Sequence, residues 1–527
     1  MSRSRQSTEV ELELFTHRFG AVAWQMGEAL RRTALSVNVK ERLDFSCALL
    51  DPDGELVVNA PHIPVHLGAL GLCVRSVKDH LSLAPGDVVV TNHPGFGGSH
   101  LPDVTLITPV YTPVEWGEQA LLGYVASRAH HAEIGGVRPG SMPPDATCLA
   151  EEGVVLEPQY LVRDRQPRWS ELRERLEGGP YPTRSIRENL ADLAAAQAAN
   201  HRGSEAVRQL VSLHGRDKVL HYMGALGGQS EARVQKALRG FGDRRFTAEE
   251  YLDDGSALRV AVELTDGGGV IDFGGSASVH PGNLNATPAV VRSAVLYVMR
   301  LLIPGPLPLN EGLLRTVELR IPEGILNPPF PEDPARCPAV VGGNVETSQR
   351  IVDTLIKALG IAACSQGTMN NVLFGNQRFG YYETVCGGCG ATPGHAGASA
   401  VHSHMTNTAI TDPELLEHRY PVRLERFAIR QGSGGRGRFA GGDGVIREMT
   451  FLEGMSLSLL SQHRQQRPYG MAGGQSGRPG EQYLLRADGK VEPLGGIDGC
   501  EVETGDRLIL KTPGGGGWGH PEEQEEP

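Results

Sequence analysis

The sequence predicts a mixed α/β (α+β) protein with several mixed sheets in layers, a helical insert and a β-rich, glycine-rich C-terminal part. Three observations predict it. Over the first 160 residues, short apolar runs alternate with turn signals such as DPDG at 51–54, the pattern of strands and hairpins. Residues 166–245 become Ala-rich and helical in spacing, as in SIRENLADLAAAQAANHRG. Glycine supplies 68 of 527 residues, well above the usual share of about 7%. Its clusters keep no fixed period, so tight turns and β structure fit better than collagen or a linker.

In chain order, residues 7–35 read as one amphipathic helix. Ser7 and Thr8 are candidate caps, and Val10, Leu14, Val22, Met26 and Leu30 follow at mostly helical spacing. LDFSCALLDPDGELVVNA (43–60) reads as two strands joined by a turn. PGDVVVTNHP (85–94) reads as a strand entering a Gly-rich loop, and 106–113 and 120–131 as further strands. After the helical insert, strands return from 256, and two long helices follow near 286–303 and 345–360. Asn344, Glu346 and Thr347 look like a capped start for the second. The expected division is 1–165, a mixed α/β metal-site region; 166–245, the helical insert; 246–380, α/β; 381–520, β-rich and Gly-rich; and 521–527, an acidic tail.

A net charge of −12 argues against a nucleic-acid partner, which calls for a basic face. Eight cysteines scattered over a long chain suit reduced thiols and a cytoplasmic location. No signal peptide is expected, because MSRSRQSTEVELELF lacks an apolar core. The longest apolar stretch, 289–303, contains Arg292 and Arg300 and is too short and too charged for a membrane span. The pair CGGC (386–389) lacks a second CxxC and a thioredoxin-like setting. The strings GSGGRGRFAGGDG (432–444) and TPGGGGWGHP (512–521) lack the GKS/GKT ending of a phosphate loop.

The candidate chemistry lies in two stretches. In GGSHLPDV (97–104), His100 and Asp103 stand three apart behind Gly97 and Gly98, which let the backbone turn sharply. Imidazole nitrogen with carboxylate oxygen suits Zn, Mn or Fe; the alternative is a turn in which Asp103 caps a backbone N–H. In SRAHHAEIGG (127–136), His130 and His131 end an apolar run, with Glu133 close behind. Strand neighbours face opposite ways, so one imidazole of the pair would face a shared site. The alternative is a surface turn with hydrogen-bonded histidines. His62 and His66 are further candidates.

These stretches, taken in order, resemble the hydantoinase B family. That family includes the B component of N-methylhydantoinases, the C-terminal half of 5-oxoprolinases and the α subunit of acetone carboxylases. The resemblance rests on ERLDFSCALLDPDGELV, GDVVVTNHPGFGGSHLPDVTLITPV, ASRAHHAEIGGVRPGSMP, EEGVVLEP, NEGLLRTVELRIPEGILNPPFP, GGNVETSQRIVDTLIKAL, YYETVCGGCGA, SGGRGRFAGGDGVIRE and TPGGGGWGHP. It implies metal ligands at His100, Asp103 and His130, with His131 the second choice for the last. Glu133 or Glu152 would act as general base or orient an imidazole, and His66 would line the site. The implied activity is ATP-dependent hydrolysis of a cyclic amide. A hetero-oligomeric A-type partner binds ATP and phosphorylates the small-molecule substrate, and this chain, with a divalent metal (Mn, Zn or Fe), completes ring opening. The α subunit of a ketone carboxylase and a metal-stabilised, non-catalytic scaffold are the alternatives. Two positions depart from the family pattern: Asn92-His93-Pro94 where N-D-P is usual, and His131-Ala132-Glu133 where H-A-D is common.

Overall fold

The computed structural model describes residues 3–59 and 63–521; His62 and residues 522–527 of the acidic tail lie outside them. Its first sheet is built from β1 (Phe45–Leu50), β2 (Leu56–Asn59), β3 (Val88–Thr91), β4 (Asp103–Tyr111), β5 (Leu121–His130), β6 (Gln159–Arg163) and β7 (Gln166–Pro167). All neighbours are antiparallel, in the order β2-β1-β5-β4-β3-β6-β7. The turn between β1 and β2 is DPDG, with the Asp51 carboxylate accepting from the N–H groups of Asp53 and Glu55.

Both faces of this sheet are covered, which explains why FSCALL in β1 is buried throughout and does not alternate. One face carries Cys47, Leu49, Leu106 and Val125 against the helices Arg3–Thr33 and Ile186–His214. The other carries Ala48, Leu50, Ile107 and Ala126 against Leu70, Cys73, Val74 and Val77 of the helix Leu67–His80. The first helix begins at Arg3, ahead of the caps expected at Ser7 and Thr8. Its buried stripe is Phe15, Phe19, Val22, Met26 and Leu30, while Val10 and Leu14 are exposed. Val22, Met26 and Leu30 fall on the expected face; Phe15, stacked on Tyr222 at 4.4 Å, and Phe19 extend it in place of Val10 and Leu14.

A second sheet holds Arg244–Tyr251, Ala257–Thr265, Gly268–Asp272 and Val317–Arg320. It shares a core with the helices Pro288–Leu301 and Ser348–Leu359. The strand 244–251 was not visible in the sequence pattern, because RRFTAEEY is half exposed and its few apolar residues stand between Arg244-Arg245 and Glu249-Glu250 with no clear alternation. The helix Ser348–Leu359 has no side-chain cap. A π-turn at Gly343–Thr347 leads into it, and Thr347 donates to Leu284 O instead.

The C-terminal part is two antiparallel sheets, one of Asn371–Asn376, Phe379–Glu383, Met455–Leu460 and Ile497–Val502, the other built on Val422–Ile429 and Val445–Phe451. Its glycine strings stack backbone on backbone. Gly442 N–H donates to Cys389 O at 2.8 Å and Gly515 N–H to Gly442 O at 2.9 Å. A methyl on Gly515 would lie 2.0 Å from Cys389 O, and one on Gly442 would lie 1.9 Å from Ala398 O. These glycines are there for close approach more than for turns, which corrects the reading from composition. Among the described residues, no helix is long and apolar enough to cross a membrane.

Candidate metal centre

Asp103 opens β4 and His130 closes β5, and the register sets them directly opposite one another. Opposed residues of an antiparallel pair share a face, so both side chains rise on the side covered by the helix Leu67–His80. His100 arrives from the preceding loop, whose tight path depends on its glycines. Gly97 is left-handed (φ +79°), and a methyl on Gly98 would lie 2.7 Å from His93 O. Asn92 ties the loop down, donating to Leu101 O and Val154 O and accepting from Leu156 N–H.

The structure brings His100, Asp103 and His130 together, with one donor atom from each all within 4.8 Å of one another. His100 Nδ1 is 3.1 Å from Asp103 Oδ2, and His130 Nδ1 is 3.6 Å from Asp103 Oδ1. All three are at most 3% exposed. Burial pushes the Asp103 carboxyl up, but His100 and His66 outweigh it and hold Asp103 well below the usual carboxylate range. Burial, reinforced by His100, pushes His130 well below the ordinary imidazole value.

His66 joins this group as a support. Its Nε2–H donates to Asp103 Oδ2 at 3.1 Å, and its Nδ1 pairs with the Ser46 hydroxyl at 3.0 Å. Ser99 donates to the same Asp103 oxygen. Tyr382, from the strand Phe379–Glu383, stacks on His130 at 4.5 Å, and the buried Arg42 guanidinium lies over the Tyr382 ring, 4.7 Å from its centroid. Asp44 Oδ2 is 3.9 Å from His130 Nδ1; burial, only partly offset by Arg42, pushes Asp44 up to about 6. Asn344, in the π-turn, sets its amide nitrogen 3.4 Å from His100 Nε2.

The other expected site residues go elsewhere. His131 faces away from the group, its Nδ1 on Asn189 of the helix Ile186–His214 at 3.0 Å, as the alternation of a strand end requires. Glu133 accepts from Gly135 N–H and Gly140 N–H and pairs with Arg184 at 3.2 Å, organising the loop after β5. Glu152 accepts from Val340 N–H and Val341 N–H, both at 2.8 Å, and burial pushes it up to about 8 against those two donors. Neither carboxylate hydrogen-bonds His100, Asp103 or His130. His93, the departure from N-D-P, accepts from Gly95 N–H and packs on Phe96 and Phe330, so it caps a turn.

The donor set fits a divalent ion. Asp103 Oδ1, His130 Nε2 and Asn344 Oδ1 are buried with no hydrogen-bond partner. Three such orphans at one place are costly unless something binds them. Two imidazoles and a carboxylate suit Zn, Mn or Fe, and three protein ligands leave a position open. Sequence reasoning missed Asp44, Ser46, Ser99, Asn344 and Tyr382. All five stand inside stretches that carried the family resemblance, but their convergence depends on two sheets meeting.

The chain belongs to the Hydantoinase B/oxoprolinase family, whose family model matches residues 8–521. It is 45% identical to 5-oxoprolinase 1 of Arabidopsis thaliana over 97% of this chain and 42% of that one. The chain spans about two-fifths of the length of the first curated relatives it matches. The crystal structure of the ATP-dependent caprolactamase from Pseudomonas jessenii is similar with a TM-score of 0.86 at 25% identity, over 97% of this chain and 91% of that chain. Nucleotide-free acetone carboxylase shares the fold, with a TM-score of 0.87 at 17% identity, over 99% of this chain and 77% of that one.

Proposed function

We propose that this chain is the B-type unit of an ATP-dependent cyclic-amide hydrolase of the hydantoinase/5-oxoprolinase kind. In this reading the five sequence segments act as one unit. The substrate reaches it after activation by an A-type ATP-binding partner in a cytoplasmic hetero-oligomer. The observation that carries the proposal is the buried His100–Asp103–His130 group with its orphaned polar atoms. The names of the similar proteins, 5-oxoprolinase and caprolactamase, supply the substrate class.

A divalent ion held there would polarise a carbonyl and acidify a bound water. The chain's own residues prepare the place. Asp103 is held ionised by the two histidines. Ser46 holds His66 in the tautomer that donates from Nε2, and His66 orients Asp103. Tyr382 fixes the plane of the His130 ring and excludes water from that side. Glu133 and Glu152 are given structural roles on the loops they bind.

A second reading, a metal-stabilised scaffold, is favoured by one observation: the three ligands are almost wholly enclosed. One experiment separates the two. The complex with an A-type partner is assayed with ATP on 5-oxoproline, hydantoin and caprolactam, with acetone plus bicarbonate as the carboxylase arm. Wild type should open at least one ring, and the His100→Ala/Asp103→Ala complex should assemble and open none. Equal turnover by both complexes would leave the scaffold, and turnover of acetone alone would leave the carboxylase.

A further inference from the structure

A second cluster of ligating side chains lies away from the first. Asp353 comes from the helix Ser348–Leu359, Cys364 from the segment after that helix ends, and His463 from the turn after the strand Met455–Leu460. All three are fully buried, and one donor atom of each lies within 4.8 Å of the others.

Each of these side chains turns one donor atom toward the other two. His463 Nδ1 is 2.6 Å from Gln466 O, so Nδ1 carries the hydrogen and Nε2 presents its lone pair, 3.7 Å from Cys364 Sγ. His404 Nε2 binds Asp353 Oδ1 at 3.0 Å, while Asp353 Oδ2 is buried with no partner. Such supports on the far side of an imidazole and a carboxylate are what a metal site needs to aim its ligands. A methyl on Gly367 would lie 2.4 Å from His463 Nε2 and 2.6 Å from Asp353 Oδ2. The backbone there is left-handed (φ +59°), so glycine keeps open a space that both donors border. Charge also fits. The nearby Arg350 has its own carboxylate, Glu250, at 3.6 Å, which leaves Asp353 and a Cys364 thiolate to match a divalent cation.

We propose that Asp353, Cys364 and His463 bind a second metal ion, a thiophilic divalent cation of the zinc class. One sulfur, one nitrogen and one oxygen donor suit Zn2+, Fe2+ or Co2+, whereas a thiolate disfavours Mg2+, Ca2+ and Mn2+. Binding converts Cys364 Sγ–H into a metal-bound thiolate and releases that proton to solvent. The ion would add a fixed cross-link between the helix Ser348–Leu359 and the C-terminal sheet, whose Leu373, Tyr382 and Leu460 already share an apolar core with Ile351, Val352 and Leu355 of that helix.

The first site contains no sulfur, so the two are separable in the full-length chain. Co2+ is loaded into wild type, His100→Ala/Asp103→Ala and Cys364→Ser. A near-ultraviolet thiolate-to-cobalt band should appear in the first two and vanish in the third, with bound metal falling by about one ion per chain relative to wild type. X-ray absorption of the Co2+-loaded His100→Ala/Asp103→Ala chain should show one sulfur neighbour alongside nitrogen or oxygen, and this arm stands even if Cys364→Ser fails to fold. Absence of the band in wild type, its survival in Cys364→Ser, or a sulfur-free or multi-sulfur absorption spectrum would each overturn the proposal.

Discussion

Replacing His66 by Leu tests whether the first metal centre depends on the support seen behind it. Leucine fills most of the imidazole volume and offers no hydrogen bond. The substitution removes the 3.1 Å bond to Asp103 Oδ2 and strands the Ser46 hydroxyl. A hydrogen bond to a charged group contributes about 1.5–3 kcal/mol. Loss of an outer partner of a metal ligand typically lowers affinity by about 10–100-fold, which is about 1.4–2.8 kcal/mol. Ser99 still donates to the same oxygen, so the lower end is expected, roughly a tenfold rise in Kd for Zn2+. The assay is competition with a chromophoric chelator, with thermal unfolding of the metal-free chain as a control. His66→Gln, whose amide can donate to the same oxygen, should recover part of the loss. An affinity within about twofold of wild type would remove His66 from the centre. A loss as complete as that of Asp103→Ala would make it a ligand in its own right.

Four further outcomes follow from other parts of the structure. Glu383 and Arg447 form a fully buried pair at 2.7 Å, with Tyr381 also on the carboxylate, so Glu383→Gln should cost about 3–5 kcal/mol in denaturant unfolding. Burial lifts Glu152 from 4.5 to about 8, so the folded state keeps a proton that the unfolded chain releases, and stability falls as pH rises from about 4.5 through about 8. Glu152→Gln should therefore melt close to wild type near pH 4.5, and its advantage in Tm should widen up to about pH 8; a constant difference would contradict a raised pKa. Gly515→Ala drives a methyl to 2.0 Å from Cys389 O and breaks up backbone bonds of the glycine stack, at about 2–5 kcal/mol. Gly20→Ala, in a helix with open space around it, should be neutral or stabilising by up to about 1 kcal/mol.

What could be read from the chain follows physical range. Five of the seven strands of the first sheet, β1 to β5, and the helices 186–214 and 288–301 announce themselves through local period and turn chemistry; the short β6 and β7 do not. The opposition of Asp103 and His130 does not, because it depends on the register of β4 against β5, yet period two alone already implied that His130 and His131 must part company. The strand Arg244–Tyr251 was hidden because a half-exposed strand bordering the helical insert carries little apolar signal. Asn344 and Glu346 looked like cap residues but are buried in a π-turn, with Asn344 against His100. The glycine strings pointed to turns, and only the three-dimensional stack shows that the absence of a side chain is what they supply. Asp353, Cys364 and His463 stand up to 110 residues apart in the sequence and had no local signature at all.

The central claim is that His100, Asp103 and His130 hold one divalent ion. Anomalous diffraction from crystals of the Zn2+-loaded chain tests it most directly. The account predicts a peak about 2.0–2.2 Å from a nitrogen of each histidine and an oxygen of Asp103. Full zinc loading with no peak between those three side chains would contradict it.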